Sequence, residues 1–417
     1  MAKSLQRFIE NDFLRDLKSN LWSTAFVYLD IQGCNAHEFH NFSTDTWVDF
    51  ANNKEPKVVG RSICELFRRA FIDLLVETQI KDSVEIFKQK TIRCLEEFLK
   101  AVDEGTHHYE CLKEMTMKSE KLKKEDIQAV LAVHLFTPLL FEGEVIADSL
   151  AYKSETSSMK NENLEPECPF CIESVNTGNT NFGCTRLWHG RADIVVKNNR
   201  KCRNVVTVAS DRIENIEERQ GEPVLKKARL EQDVDELFDS NSLTEVEPSY
   251  IQDKAVHQLF SEKEYMETIT QTIVNAFVAV KQNKQLEDHL IPSFFVTAHC
   301  LFINFYNVSK DILLAQSKPL LFFQKGKINY DTIISLWMAL NFETLTVDSL
   351  DEDYKTSGFR KCLIELGVLN EYENEVESEF ISAQKPTTSS GDTDYYINIE
   401  KTFEILKEFR KKANFQR

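Results

Sequence analysis

The strongest constraint on the fold lies where three short runs of β-forming residues follow one another. These runs are Phe182–Trp188, Ala192–Val196 and Val205–Ala209. β-Branched residues dominate the last two runs, and the polar segment Lys197–Arg203 separates them as a turn does. The pattern predicts a three-stranded meander in which Gly190–Val196 and Val205–Ser210 are neighbouring antiparallel strands.

Helical patterns stand on both sides of this predicted meander. Apolar residues recur at three- and four-residue steps near residues 125–137 and again over 255–282. Two further apolar β runs follow, at Ile291–Ala298 and Cys300–Tyr306. The order helix, meander, helix, two strands predicts an α/β (α+β) fold with a mixed central sheet flanked by helices. Helical N-terminal and C-terminal elaborations complete it.

One aspartate stands at the start of the second predicted strand. In Leu-Trp-His-Gly-Arg-Ala-Asp-Ile-Val-Val, Asp193 comes three residues after Gly190 and directly before three β-branched residues. A carboxylate at a strand end is a hard oxygen ligand that suits Mg²⁺. The alternative is a hairpin in which Asp193 caps or hydrogen-bonds a turn.

The strand resembles the second core strand of the restriction-endonuclease-like PD-(D/E)XK superfamily, in which this aspartate holds the catalytic metal. It is similar to uncharacterised invertebrate proteins that carry a Trp-His-Gly-x-x-Asp strand. The resemblance covers roughly residues 123–340 and implies a restriction-endonuclease-like core.

The sequence departs from this superfamily on the next strand, which should supply an acidic residue, one apolar residue and a lysine. The alignment places Thr207 at the acid and Ala209 at the lysine. A neutral hydroxyl is a poor metal ligand, and a methyl group cannot move the proton of an attacking water. The sequence therefore predicts a degenerate site.

The resemblance implies two further residues in this vestigial catalytic site beside Asp193. The helix before the meander normally contributes an acid, which we assign to Glu125, with Glu142 as the alternative. The helix after the meander often carries a glutamine near the site, which we assign to Gln271.

We therefore expect a catalytically inactive nuclease-fold protein, a pseudoenzyme that acts by binding protein or nucleic acid. One alternative is an active metal-dependent nuclease whose lysine has migrated to Lys197 or Lys201, with Mg²⁺ as its cofactor. Another is an intracellular scaffold with no nucleic-acid role. A basic cleft beside Asp193 favours the first two functions, and an acidic cleft favours the scaffold.

A second candidate site precedes the aspartate. Cys168-Pro-Phe-Cys171 is followed by Cys184 and His189, a C-x₂-C-x₁₂-C-x₄-H spacing that is compatible with tetrahedral zinc (Zn). The alternative is a pair of unpaired thiols in a loop, with Cys184 buried. His134, on the apolar face of the preceding helix, is interpreted as a core histidine.

The charge of the chain limits its partners. Sixty-seven acidic and 50 basic residues give a net charge of −17, so nucleic-acid binding needs a local basic patch. Scattered cysteines, the lack of an apolar signal region and the lack of a long apolar stretch predict an intracellular protein without a membrane role. The basic cluster Lys226, Lys227 and Arg229 resembles a nuclear import signal, so the compartment is cytoplasmic or nuclear.

Four segments are expected along the chain. Residues 1–57 form an N-terminal extension, and 58–122 form a helical region. Residues 123–344 form the PD-(D/E)XK-like core, which includes a disordered acidic insertion at about 211–253. Residues 345–417 comprise acidic loops and a C-terminal helix.

Overall fold

A computed structural model gives the fold of a large part of the chain. The residues it describes are 28–32, 60–70, 83–152, 166–184, 189–198, 203–209, 262–316, 319–324, 326–345, 356–378 and 381–382. The predicted acidic insertion, the basic cluster Lys226, Lys227 and Arg229, and the predicted last helix lie outside these residues, so those expectations stay predictions.

The strands of the described residues are short in the flanking segments and longest in the middle of the chain. In chain order they are β1 (Tyr28–Gln32), β2 (Gly60–Ser62), β3 (Glu144–Asp148), β4 (Thr177–Asn179), β5 (Asn181–Gly183), β6 (His189–Arg191), β7 (Ile194–Lys197), β8 (Arg203–Val208), β9 (Ile291–Val296), β10 (Cys300–Asn307), β11 (Ile312–Gln316), β12 (Leu320–Leu321), β13 (Phe323–Gln324), β14 (Lys327–Ile328), β15 (Glu377–Ser378) and β16 (Ile381–Ser382).

The helices of the described residues include two long ones of 21 residues each. In chain order they are α1 (Ile63–Leu66), α2 (Ser83–Asp103), α3 (His107–Met117), α4 (Lys124–Leu131), α5 (Glu262–Gln282), α6 (Tyr330–Leu340), α7 (Phe342–Leu345), α8 (Phe359–Leu366) and α9 (Leu369–Asn374). A π-helical turn, Ala132–Phe136, continues directly from α4.

A mixed sheet of eleven strands forms the centre of the fold, as the sequence predicts. Its order is β16-β4-β3-β7-β8-β9-β10-β11-β1-β2, with β12 paired to β10. The strands β3, β7 and β8 form an antiparallel meander, β9 runs parallel to β8, and β10 returns antiparallel to β9. The sheet thus draws strands from all four expected segments.

The predicted hairpin is confirmed from Ile194 onward, whereas Gly190 and Arg191, predicted in the same strand, belong to β6 of a separate sheet. Strands β7 and β8 are antiparallel neighbours, with Ile194 opposite Val206 and Val196 opposite Asn204. Both strands are almost wholly buried, which explains their continuous β-branched runs.

The first strand of the meander is β3, and the expectation that Phe182–Trp188 supplies it is wrong. Residues Asn181–Gly183 instead form β5, which pairs with β6 and β15 in a separate three-stranded sheet. Strand β3 has only three apolar residues between Glu144 and Asp148, so hydrophobic periodicity does not distinguish it from a loop.

Helices cover both faces of the central sheet. On β9, Ser293 hydrogen-bonds to Thr272 of α5, and Phe294 packs against Phe136 of the π-helical turn with 6.1 Å between ring centroids. Because successive side chains of a strand point to opposite faces, α5 and the α4 segment lie on opposite sides of the sheet. The helices α2 and α6 join through the buried Trp337, whose Nε1 donates to the Thr91 carbonyl at 3.0 Å.

Glu96 on α2 links stability to pH. Burial raises the pKa of this carboxyl to about 7, against the opposing charge of Arg93. A carboxyl whose pKa is higher in the folded state stabilises it fully only below pH 4.5, and this contribution is lost as the pH rises through 7. Glu96→Gln is therefore expected to raise the free energy of unfolding by about 1–3 kcal/mol at pH 8 and by less at pH 5.

Urea unfolding at the two pH values measures this difference. The control is Glu104→Gln, which removes an exposed partner of Lys100 and should change stability by less than about 0.5 kcal/mol. An equal gain at both pH values would contradict the ionisation argument.

Candidate functional site

A cleft opens beside Asp193, where several elements end or begin together. Strand β3 brings Asp148, strand β6 brings His189, Gly190 and Arg191, and helix α5 brings Glu267. The lining residues are Asp148, Asn181, His189, Gly190, Arg191, Asp193 and Glu267. The cleft thus forms where the small sheet meets the edge of the central meander.

The Asp193 carboxylate is bound on both oxygens. Its Oδ1 lies 2.8 Å from the Nζ of Lys124, and its Oδ2 accepts a hydrogen bond of 2.7 Å from the Val208 backbone N–H. Its carbonyl accepts from Gln128 Nε2 and from the Asp148 backbone N–H. Asp193 therefore ties α4, β3 and β8 together, as in the turn-bonding alternative raised above.

The ion pair between Lys124 and Asp193 affects the pKa of both residues. Burial raises the pKa of Asp193, while the Lys124 ammonium and the Val208 N–H oppose that rise. Burial lowers the pKa of Lys124, but the charge and hydrogen bond of the Asp193 carboxylate, together with the charges of Glu267 and Glu264, raise it overall. Lys124 is therefore a cation at neutral pH.

Asp148 and Glu267 are the other carboxylates of the cleft. Asp148 pairs with the guanidinium of Arg191, with Oδ1 and NH1 3.2 Å apart. Glu267 lies one helical turn before Gln271, whose Nε2 is 3.4 Å from its Oε1. With Asp193, these residues make three acidic groups against Arg191 and Lys124, so the cleft is not basic.

The two helix and loop acids assigned from the sequence do not line this cleft. The backbone carbonyl of Glu125 accepts from Tyr152 Oη at 3.0 Å, and Glu142 lies in the left-handed region (φ 50°) of the turn before β3. Asp148, rather than either of these acids, lines the cleft beside Asp193, because β3 pairs with β7. The sequence signal for Asp148 was its position directly after the apolar residues Val145, Ile146 and Ala147.

Gln271 lies next to Thr207 and hydrogen-bonds to it. Its Oε1 accepts from Thr207 Oγ1 at 3.0 Å, and its Nε2 donates to the Arg191 carbonyl at 3.1 Å. Ala209 is fully buried in an apolar cluster with Phe295, Cys300 and Phe302. Thr207 and Ala209 are therefore both buried in the packed interior.

The lysine next to Asp193 was missed by the sequence reasoning. Lys197 lies at the far end of β7, where its Nζ is 3.4 Å from Glu144 Oε2, and Lys201 is outside the described residues. Lys124 is the first residue of α4, where the helix dipole disfavours a cation. The unfavourable position of this cation at a helix N-terminus was the sequence signal that Lys124 pairs with a carboxylate.

A second group of side chains could hold a metal ion. The ligand atoms of His107, Cys111, His134 and Cys171 all lie within 4.8 Å of one another. His107 and Cys111 stand one turn apart on α3, His134 lies in the π-helical turn, and Cys171 lies in the loop between β3 and β4.

This group shares only Cys171 with the zinc ligands predicted from the sequence. Cys168 is in hydrogen-bonding contact with the thiols of Cys171 and Cys111, but Cys184 and His189 are not members of the group. The pairing of β5 with β6 carries His189 into the Asp193 cleft instead. His134 is fully buried, yet its ring nitrogens contact Cys171 and His108.

The sequence signal for the new members of this group was a His-x₃-Cys spacing on a predicted helix. Such a spacing puts His107 and Cys111 on one face. It was overlooked because the other two members, His134 and Cys171, lie 23 and 60 residues after Cys111 in the chain.

Removal of Asp193 tests whether the residue is structural. Asp193→Ala leaves the Lys124 ammonium without its partner and is expected to lower the free energy of unfolding by about 1–3 kcal/mol, less than a fully buried pair because Lys124 is partly exposed. Urea unfolding measures it. The comparison variant is Glu144→Ala, which breaks a similarly exposed pair with Lys197 but, unlike Asp193→Ala, removes no acceptor of a backbone N–H, and its loss is expected below about 1 kcal/mol. An increase in stability would instead indicate a site of mutually repelling carboxylates.

Comparison with known proteins adds no relative. No protein-family model, no curated protein and no solved structure matches the chain. Within the described ranges, none of the helices is both long and apolar enough to cross a bilayer.

Proposed function

We propose that this protein is a catalytically inactive member of the restriction-endonuclease-like superfamily and that it acts by binding a protein partner. The observation that carries the proposal is the contact of 2.8 Å between the Lys124 ammonium and the Asp193 carboxylate. The order of the core elements supports the superfamily assignment: α4, the meander β3-β7-β8, α5, then β9 parallel to β8.

An ammonium at this carboxylate occupies the position where a catalytic Mg²⁺ would bind. The two-carboxylate chemistry of such sites needs a hard cation that offsets the charge of the transferring phosphate. Here Lys124 neutralises Asp193, and Arg191 neutralises Asp148. The protein's own cations thus neutralise both carboxylates, and the proposed function does not involve Mg²⁺.

The charge of the cleft favours a protein partner over nucleic acid. A phosphodiester backbone is bound mainly by unpaired Lys and Arg side chains. The cations of this cleft are paired with carboxylates, and Glu267 adds another negative charge. Together with the net charge of −17, this argues against a nucleic-acid partner and for a protein partner.

A second candidate function is favoured by the same lysine. In an active nuclease with a migrated lysine, Lys124 would take the place of the lysine missing at Ala209, and Asp193 with Asp148 would hold Mg²⁺. This alternative differs from the proposal in one measurable respect, because it requires both Lys124 and Asp193 for turnover.

A cleavage assay separates the two functions. Purified protein is incubated with Mg²⁺ or Mn²⁺ and labelled single- and double-stranded DNA and RNA, beside Asp193→Ala and Lys124→Ala. We expect background cleavage from all three proteins, and no retention of the labelled strands at low salt. Metal-dependent cleavage by the wild type that is lost in both variants would overturn the proposal in favour of the nuclease, and tight strand retention without cleavage would overturn the protein partner.

A further inference from the structure

The group formed by His107, Cys111, His134 and Cys171 shares no residue with the lining of the Asp193 cleft. An inference about this group therefore goes beyond the proposed function. We propose that His107, Cys111, His134 and Cys171 bind one structural Zn²⁺ that fastens helix α3 and the π-helical turn to the loop before β4. The group of donors replaces the ligand set predicted from the sequence spacing.

The distances between the ligand atoms are close to those around a tetrahedral zinc ion. With Zn–S near 2.3 Å and Zn–N near 2.0–2.1 Å, neighbouring donor atoms of a tetrahedral site stand roughly 3.3–3.8 Å apart. The Nε2 of His134 lies 3.3 Å from Cys171 Sγ, and the Nδ1 of His107 lies 4.0 Å from Cys111 Sγ. The first distance lies in the tetrahedral range, and all four ligand atoms lie within 4.8 Å of one another, so coordination of one ion would draw the outer atoms closer by up to about 1 Å.

Each histidine is oriented by a contact on its other ring nitrogen. The Nε2 of His107 lies 3.2 Å from a carboxylate oxygen of Glu173, and the Nδ1 of His134 lies 3.0 Å from His108 Nδ1. Metal-bound histidines characteristically make such outer contacts, which fix the tautomer and the ring orientation. Glu173 also accepts the Cys168 N–H through its carbonyl, so that the same residue shapes the loop.

The backbone around the ligands has the features of a built site. His134 lies at the centre of a π-helical turn, and such turns appear mostly as single insertions at functional positions. The Cys171 N–H donates to the Cys168 carbonyl at 3.3 Å, which closes a tight turn around the two cysteines. Four protein ligands leave no open coordination position, which is typical of structural rather than catalytic zinc.

Metal analysis of the purified full-length chain tests the proposal. We expect one equivalent of zinc per chain, lost in Cys111→Ser and strongly reduced in His107→Ala, which changes an exposed ligand and so spares the fold. Glu173→Gln should weaken zinc affinity by about 10–100-fold, measured by competition with a chelator. Replacement by Co²⁺ should give a sulfur-to-cobalt charge-transfer band with the intensity of two thiolates.

The matched controls are Cys184→Ser and His189→Ala, which alter the two residues of the earlier prediction outside the group. Both should keep a full equivalent of zinc. Zinc lost in these controls but retained in Cys111→Ser would overturn the proposal, as would a metal-free protein that contains a disulfide among Cys111, Cys168 and Cys171. A three-thiolate cobalt spectrum would overturn the ligand set by placing Cys168 in it.

Discussion

Ala209→Lys is expected to lower the free energy of unfolding by at least about 3 kcal/mol and to create no nuclease. Ala209, directly after the end of β8, has no exposed surface and packs against Phe295, Cys300 and Phe302 of the neighbouring central strands. An added lysine there must bury four methylenes in filled space, for about 1–3 kcal/mol, and also bury an ammonium without a partner. The lysine that the resemblance would lead one to expect at this position therefore conflicts with the packing.

The volume and charge terms are separated by Ala209→Met, which has a similar length and no charge. Urea unfolding should show a loss of about 1–3 kcal/mol for methionine and a clearly larger loss for lysine. A lysine variant as stable as the wild type would mean that its ammonium reaches solvent or the Asp193 carboxylate. In that case, the cleavage assay on the same variant would show whether the added lysine confers metal-dependent cleavage.

Asp311→Ala is expected to lower the free energy of unfolding by about 3–5 kcal/mol. This buried carboxylate accepts hydrogen bonds from Tyr306 Oη at 2.7 Å and Ser357 Oγ at 2.6 Å. It also accepts the backbone N–H groups of Gly358 and Arg360 at 3.2 Å each. Removal of one acceptor leaves several buried donors unsatisfied, at about 1–3 kcal/mol each before the structure relaxes.

The same substitution should loosen one part of the fold more than the rest. Asp311 joins β10 and β11 to the start of α8, so amide hydrogen exchange should increase over residues 356–374. Asp311→Asn is the matched variant: it tolerates the left-handed backbone (φ 53°) and keeps one acceptor, so a smaller loss is expected. Asp288→Ala, which removes an exposed acceptor of Ser309, should have little effect, and a loss equal to that of Asp311→Ala would contradict the argument.

Much of the core could be predicted from the sequence because its elements carry their own local patterns. Strands β7 and β8 are buried on both faces and therefore read as continuous β-branched runs. Helices α5 and α6 likewise show recurring apolar residues. Strand β3 could not be found in this way, because three apolar residues between two acids resemble a loop as closely as a strand.

The candidate sites were less predictable because their residues are far apart in the chain. The spacing around Cys168 and Cys171 identified one side of the His/Cys group, but the other ligands come from α3 and the π-helical turn. Asp193 was found by its strand, whereas Lys124, Asp148 and Glu267 come from three other elements. A local motif contains no information about which distant helix will pack beside it.

The sequence by itself determined the fold class, the β7–β8 hairpin and the absence of an acid and a lysine at Thr207 and Ala209. These follow from side-chain periodicity and residue chemistry, which are properties of short segments. Only the tertiary structure decided the surroundings of Asp193 and Ala209, namely Lys124 beside Asp193 and an apolar cluster around Ala209. The reason is that a buried charge must be compensated by whichever group the folded chain brings within a few ångströms, and that neighbour is set by the packing of α4 against the sheet.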